Sequence, residues 1–147
     1  MKGVVRAACL ALLSWAAPQW ACAATVVVQP GQDLQAAIQA AAAGDVVEVQ
    51  RGFYRANLLI DKKLTLRGID RPTISGGLEG DTIRVTAPDV VIEGLIVRDS
   101  GASLKHQNSG IYLYPGAHRA VVRHCDLTYN LFGLWIEKVT DVVIDGN

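Results

Sequence analysis

The chain has 147 residues, half of them hydrophobic, and its 14 basic and 14 acidic side chains cancel. Such a balance gives no electrostatic reason to expect nucleic acid or anionic lipid as a partner. The length suits one ordinary domain with a real core.

Residues 1–23 predict a cleaved secretory signal peptide. Lys2 and Arg6 make a positive start, residues 7–17 (AACLALLSWAA) are apolar, and Ala21-Cys22-Ala23 places small residues at the cleavage positions. The apolar run is shorter than the ~20 residues a spanning helix needs. Gln19 and Trp20 stand where a lipoprotein signal wants small or aliphatic residues. Cleavage is expected after Ala23 or Ala24, leaving residues 24–147 with no membrane span. Cys9 and Cys22 leave with the signal, and the remaining Cys125 cannot form an internal disulfide.

Residues 33–43 (DLQAAIQAAAA) predict one helix. Leu34, Ala37, Ile38 and Ala41 share a face, alanine favours the helix, and Gly44 can end it. From about residue 45 short β-branched runs recur: 46–49, 64–66, 82–85, 90–92, 111–113, 120–122, 134–136 and 142–144. Gly110-Ile111-Tyr112-Leu113 matches Gly133-Leu134-Trp135-Ile136, and Ala120-Val121-Val122 matches Val142-Val143-Ile144. Residues 64–68 align with 90–94, which align with 120–124 after an insertion at 99–109 (DSGASLKHQNS).

Each run is too short for a helix and alternates sides. A unit of this length cannot bury its apolar side alone, but stacked turns of a coil can. The expected fold is therefore all-β: a right-handed, single-stranded parallel β-helix of about five rungs with an N-terminal capping helix. Hairpin folds fit less well, because no Asn-Gly or Asp-Gly joins two adjacent strands before residue 145. A repeat strand stands directly before Asn147, so residues 24–147 are expected to be the N-terminal part of a longer solenoid.

Several residues invite a chemical reading. Glu93, Arg123 and Asp145 align on successive rungs, the pattern of a solvated charge ladder on a parallel sheet. Catalysis on this scaffold needs paired acid and base groups on one outer face, and no such pair is legible, so no catalytic residue is assigned. Asp81, Asp89, Asp99 and Asp141 lie at turn-like places, where Asp bonds its own backbone. His118, His124 and Cys125 are candidate copper(I) ligands by chemistry. Cys125 aligns with Leu95, a position expected to face the core, and Met1 is the one methionine, so a copper ligand set is not complete in this chain. The 99–109 insertion, with Leu104 and His106, stands outside the regular rung and is the expected contact region. Tyr112 and Trp135 align between aliphatic pairs and are expected to face outward as a cross-rung stack.

The opening 31–54 is similar to that of many exported β-helix proteins, carbohydrate esterases among them. Residues 90–136 are more particular. Ile92-Glu93-Gly94-Leu95-Ile96-Val97, Ser100-Gly101-Ala102-Ser103-Leu104, Ser109-Gly110-Ile111-Tyr112 and Asn130-Leu131-Phe132-Gly133-Leu134-Trp135 resemble the NosD family. Those are periplasmic β-helix proteins required for maturation of nitrous oxide reductase in denitrification. The resemblance implies a periplasmic, non-enzymatic accessory protein. Its partners would be an ABC-type transporter membrane subunit, a copper-carrying lipoprotein and the reductase, with copper as the species handled. The alternative is an extracellular β-helix that binds or cleaves carbohydrate.

Overall fold

A strand of three or four residues buries only one or two side chains, so each must find a neighbour above and below. The computed structural model describes residues 22–147, and the predicted signal peptide lies outside the described residues apart from Cys22 and Ala23. The elements run β1 (Thr25–Val28), α1 (Leu34–Ala40), β2 (Val46–Val49), β3 (Phe53–Arg55), β4 (Leu58–Ile60), β5 (Thr65–Gly68), β6 (Thr73–Ser75) and β7 (Ile83–Val85). They continue through β8 (Val91–Glu93), β9 (Ile96–Arg98), β10 (Ser109–Leu113), β11 (Val121–Arg123), β12 (Asp126–Thr128), β13 (Phe132–Ile136) and β14 (Val143–Asp145).

All pairings are parallel, and they build three sheets in the orders β1-β2-β5-β8-β11-β14, β3-β6-β9-β12 and β4-β7-β10-β13. The chain is thus a β-solenoid that takes one strand from each sheet per turn. The expected registers hold: Tyr112 lies opposite Trp135, Val121 opposite Val143, and Leu66 opposite Ile92. No helix among the described residues is long and apolar enough to cross a membrane.

Inward side chains form one column, including Val47, Leu66, Ile92 and Val122 from the first sheet, Ile74 and Val97 from the second, and Ile83, Ile111 and Leu113 from the third. Each fully buried aliphatic contributes about 1.5–3 kcal/mol relative to exposure. The corners repeat as faithfully as the strands. Asp89, Arg119 and Asp141 mark one corner and Asp99 and Tyr129 another, all with positive φ. Asp adopts this left-handed conformation more readily than most residues. Asp81 departs from the turn role expected of it: its carboxylate accepts the Ser109 N–H of the next rung at 3.1 Å.

The helix is shorter than expected and is preceded by a strand. Asp33 caps it, accepting the Ala36 N–H at 3.0 Å. It ends at Ala40 rather than near Gly44, because the Ala42 N–H is taken by Asp45 Oδ2 at 2.8 Å. Leu34 and Ile38 plug the column. Gln35 closes an open sheet edge: its amide accepts Leu59 N–H at 2.8 Å and donates to Leu59 O at 3.2 Å. A side-chain amide thereby does for β4 what a neighbouring strand would do. Lys62 Nζ reaches the carbonyls of Gln39 and Ala41 and satisfies the helix C-terminus.

Candidate functional site

The outer face of the β1-β2-β5-β8-β11-β14 sheet is self-satisfied. Glu48, Arg67, Glu93 and Arg123 stack in register, with Asp145 on the next strand. Glu93 receives Arg67 Nε at 2.6 Å and Arg123 Nε at 2.7 Å. Burial pushes the Glu93 carboxyl up, but hydrogen bonds from the two guanidinium groups outweigh it and leave the group below its ordinary range.

The outer face of the β4-β7-β10-β13 sheet is different. Its register column reads Leu59, Arg84, Tyr112, Trp135. Arg84 lies 4.8 Å over the Tyr114 ring, whose centroid is 3.9 Å from that of Tyr112. Trp135 is half-buried and packs against Phe132, ring centroids 4.8 Å apart and planes inclined at 51°. The expected register is present, but each aromatic has found its ring partner within its own rung. Tyr112 is only 3 % exposed, so little of its ring is open to a partner. Its hydroxyl donates to Glu137 Oε2 at 2.6 Å. Burial, then that hydrogen bond, push the Tyr112 hydroxyl up to about 12.

Beside this column lies a groove of about 390 Å³, lined by Asn57, Leu59, Glu79, Asp81 and Arg84 among others. The Asp81 side chain is 1 % exposed and its Oδ2 accepts Arg84 NH2 at 2.9 Å. A buried carboxylate held by an arginine and a backbone N–H is pinned, and the Arg84 fork is pinned with it.

The 99–109 insertion rises at the same corner. Gly101 N donates to Gly80 O at 2.7 Å, Ser100 N donates to Asn130 Oδ1 at 3.1 Å, and Leu131 N donates to Ser100 Oγ at 3.0 Å. Asn108 Oδ1 accepts Ser103 N–H at 3.1 Å across the neck of the loop. A Cβ on Gly101 would sit 2.5 Å from Asn108 Oδ1 and 2.7 Å from Gly80 N, which only glycine avoids. Above this base a single 3₁₀ turn, Leu104–His106, presents Leu104 (69 % exposed), Lys105 and His106 to solvent. The insertion is therefore a rigid pedestal with a small apolar and basic tip.

The three metal candidates do not converge. His118 Nδ1 accepts the Thr140 N–H at 3.1 Å. His124 is exposed, in a left-handed turn with φ 53. Cys125 lies in the core, its Sγ 3.4 Å from Arg123 O, and burial pushes the thiol up. Among the described residues no group of three or more His, Cys, Asp or Glu side chains is placed to hold a metal ion. The described His and Cys side chains do not come together as a copper site.

Of the residues at this corner, Arg84, Asn108, Asn130 and Glu137 carry no assigned role in the sequence, and Asp81 reads there only as a turn residue. One signal was available: Asn108 and Asn130 each stand shortly before a strand that starts at equivalent points of successive rungs.

Two curated proteins are similar to this chain, both described as probable ABC transporter binding protein NosD. The one from Pseudomonas aeruginosa is 32% identical over 101 residues, covering 65% of this chain and 24% of that protein. The one from Stutzerimonas stutzeri is 27% identical over 96 residues, covering 65% of this chain and 22% of that protein. The chain is a distant homologue of these proteins and spans about a quarter of their length. No family model matches. No solved structure matches either.

Proposed function

We propose that residues 24–147 form the N-terminal part of a periplasmic, non-enzymatic accessory protein that works beside an ABC-type transporter. Within that role the finer reading is copper-centre maturation of nitrous oxide reductase. The observation that supports it is the homology to the two NosD-named proteins. The pinned corner supplies the physical side: a surface ordered before binding loses little entropy when a partner docks. Copper would be cargo or would be liganded elsewhere, since His118, His124 and Cys125 point to different surroundings. Removing the gene and isolating the reductase tests the reading. A reductase depleted of copper, restored by the full-length gene, is expected; fully loaded reductase from the deletion strain sinks it.

The groove beside Arg84 favours a second reading, a carbohydrate-binding β-helix, because it brings Glu79, Asp81 and Arg84 to one open face. Against it, Asp81 is already occupied by Arg84 and Ser109. Saturable binding of an oligosaccharide, lost in Arg84→Ala, would move the assignment to this reading.

A further inference from the structure

Asp45 is only 8 % exposed, yet its carboxylate reaches to the residue that precedes β1. Ala24 N lies 2.9 Å from Asp45 Oδ1, while Oδ2 takes the Ala42 N–H at 2.8 Å. The surrounding backbone bonds hold this geometry in place: Val46 N donates to Ala24 O at 2.8 Å and Thr65 N donates to Asp45 O at 3.0 Å. A peptide N–H is a modest partner for a carboxylate so nearly buried. An ammonium at the same position matches its charge and brings three donors. The sequence can supply one there. Ala21-Cys22-Ala23 has the small-x-small spacing of a signal cleavage site, and cleavage after Ala23 frees the amine of Ala24. The spacing in the leader and the geometry of the folded domain are independent observations, and they meet at one nitrogen.

We propose that a signal peptidase cuts between Ala23 and Ala24, and that the new α-ammonium of Ala24 forms an ion pair with Asp45 that locks β1 onto the first rung. The cut is a hydrolysis: water adds across the Ala23–Ala24 peptide bond, leaving a carboxylate on Ala23 and an amine on Ala24 that takes up a proton. Processing then does more than release the chain. It converts a neutral hydrogen bond into a charged one at the first strand of the solenoid. Cutting one residue later, after Ala24, would discard the nitrogen that Asp45 holds.

The inference rests on the export reading, and the full-length protein recovered from the periplasm tests the two separately. Mass spectrometry should place the first residue at Ala24. In thermal unfolding, enzymatic acetylation of the Ala24 amine should lower the midpoint by roughly 1–3 °C, and in Asp45→Asn it should change nothing. If Asp45→Asn does not fold, the acylation rate of the Ala24 amine decides instead: at least tenfold slower in native protein than in urea is expected, and equal rates overturn the pair. A first residue at Thr25, a lipid-modified start at Cys22, or equal midpoints with and without acetylation overturns the inference and leaves export standing. A protein that keeps residues 1–23 overturns both.

Discussion

Two outer faces of the same solenoid obey opposite rules. On the β1-β2-β5-β8-β11-β14 sheet the same position alternates Glu48, Arg67, Glu93, Arg123, so every charge finds its opposite on the next rung. On the β4-β7-β10-β13 sheet the equivalent position changes from Leu59 to Arg84 to Tyr112 to Trp135, and the side chains turn sideways for partners. A face that satisfies itself by repetition has little left to offer a ligand. A face whose chemistry changes at each rung carries information, and the groove and the pedestal are both on that side. On the function proposed above, the first face is scaffold and the second is the one that docks a partner.

The largest test removes the recognition side alone. Deleting residues 102–107 joins Gly101 to Asn108, which already approach one another closely. Combined with Trp135→Ala, this should leave export and folding largely intact while weakening association with the proposed transporter or reductase partner at least tenfold, read by pull-down or surface binding. Unchanged association would place recognition elsewhere.

Asp81→Ala should cost about 2–3 kcal/mol in chemical denaturation, because the buried Ser109 N–H loses its acceptor and Arg84 loses its anchor. Amide exchange should quicken at the base of the insertion and not in the charge ladder; uniform quickening would deny the corner a separate identity. Cys125→Ser should cost about 1–2 kcal/mol by placing a hydroxyl in an apolar column, with no change in metal content. Copper lost from a still-folded Cys125→Ser protein would make Cys125 a ligand rather than core.

Tyr112→Phe removes the hydroxyl that donates to Glu137 and should cost about 1 kcal/mol. The folded hydroxyl is raised to about 12 from an ordinary 10.0, so this contribution is complete below pH 10 and is lost as the pH climbs toward 12. Burial also raises Tyr54 and Tyr114, so ultraviolet titration should show several late tyrosines, one fewer in Tyr112→Phe.

Glu93→Gln, the smallest effect, should cost under about 1 kcal/mol, since its arginine partners are substantially exposed and screened by salt. Glu93 titrates below its ordinary 4.5 when folded, so its contribution is present above that value and is lost as the pH falls through the folded one. The mutant should lose that part of the acid sensitivity of unfolding.

The parallel registers were legible because β10 against β13 and β11 against β14 carry matched alternating residues. The second sheet was not. Its strands are three residues long and bury one apolar side chain each, Tyr54, Ile74 or Val97, with Leu127 half-buried, and so short a run shows no period. β1 was missed because Val26–Val28 lies close behind the predicted signal peptide, separated from the repeat by a helix. At the candidate corner the sequence marked the insertion but not what holds it. Asn130 and Asp81 accept backbone N–H groups one rung away, a bond between chain-distant residues of which pattern along the chain carries no trace, while Asn108 accepts the Ser103 N–H inside the loop itself.

The repeated corners have a consequence for how such a chain assembles. Successive partners on the first sheet, Val46, Thr65, Val91, Val121 and Val143, are separated by unequal lengths of chain while the strands stay in register. Variation in length is confined to the corners, and each rung needs only the rung before it as a template. A polypeptide emerging from a translocation pore delivers those templates in the right order. Leu34 and Ile38 can seat against the first rung while later ones are still unmade, and the growing end then advances one turn at a time. Order of synthesis and order of stacking coincide, so this architecture can fold behind a membrane without waiting for its far end.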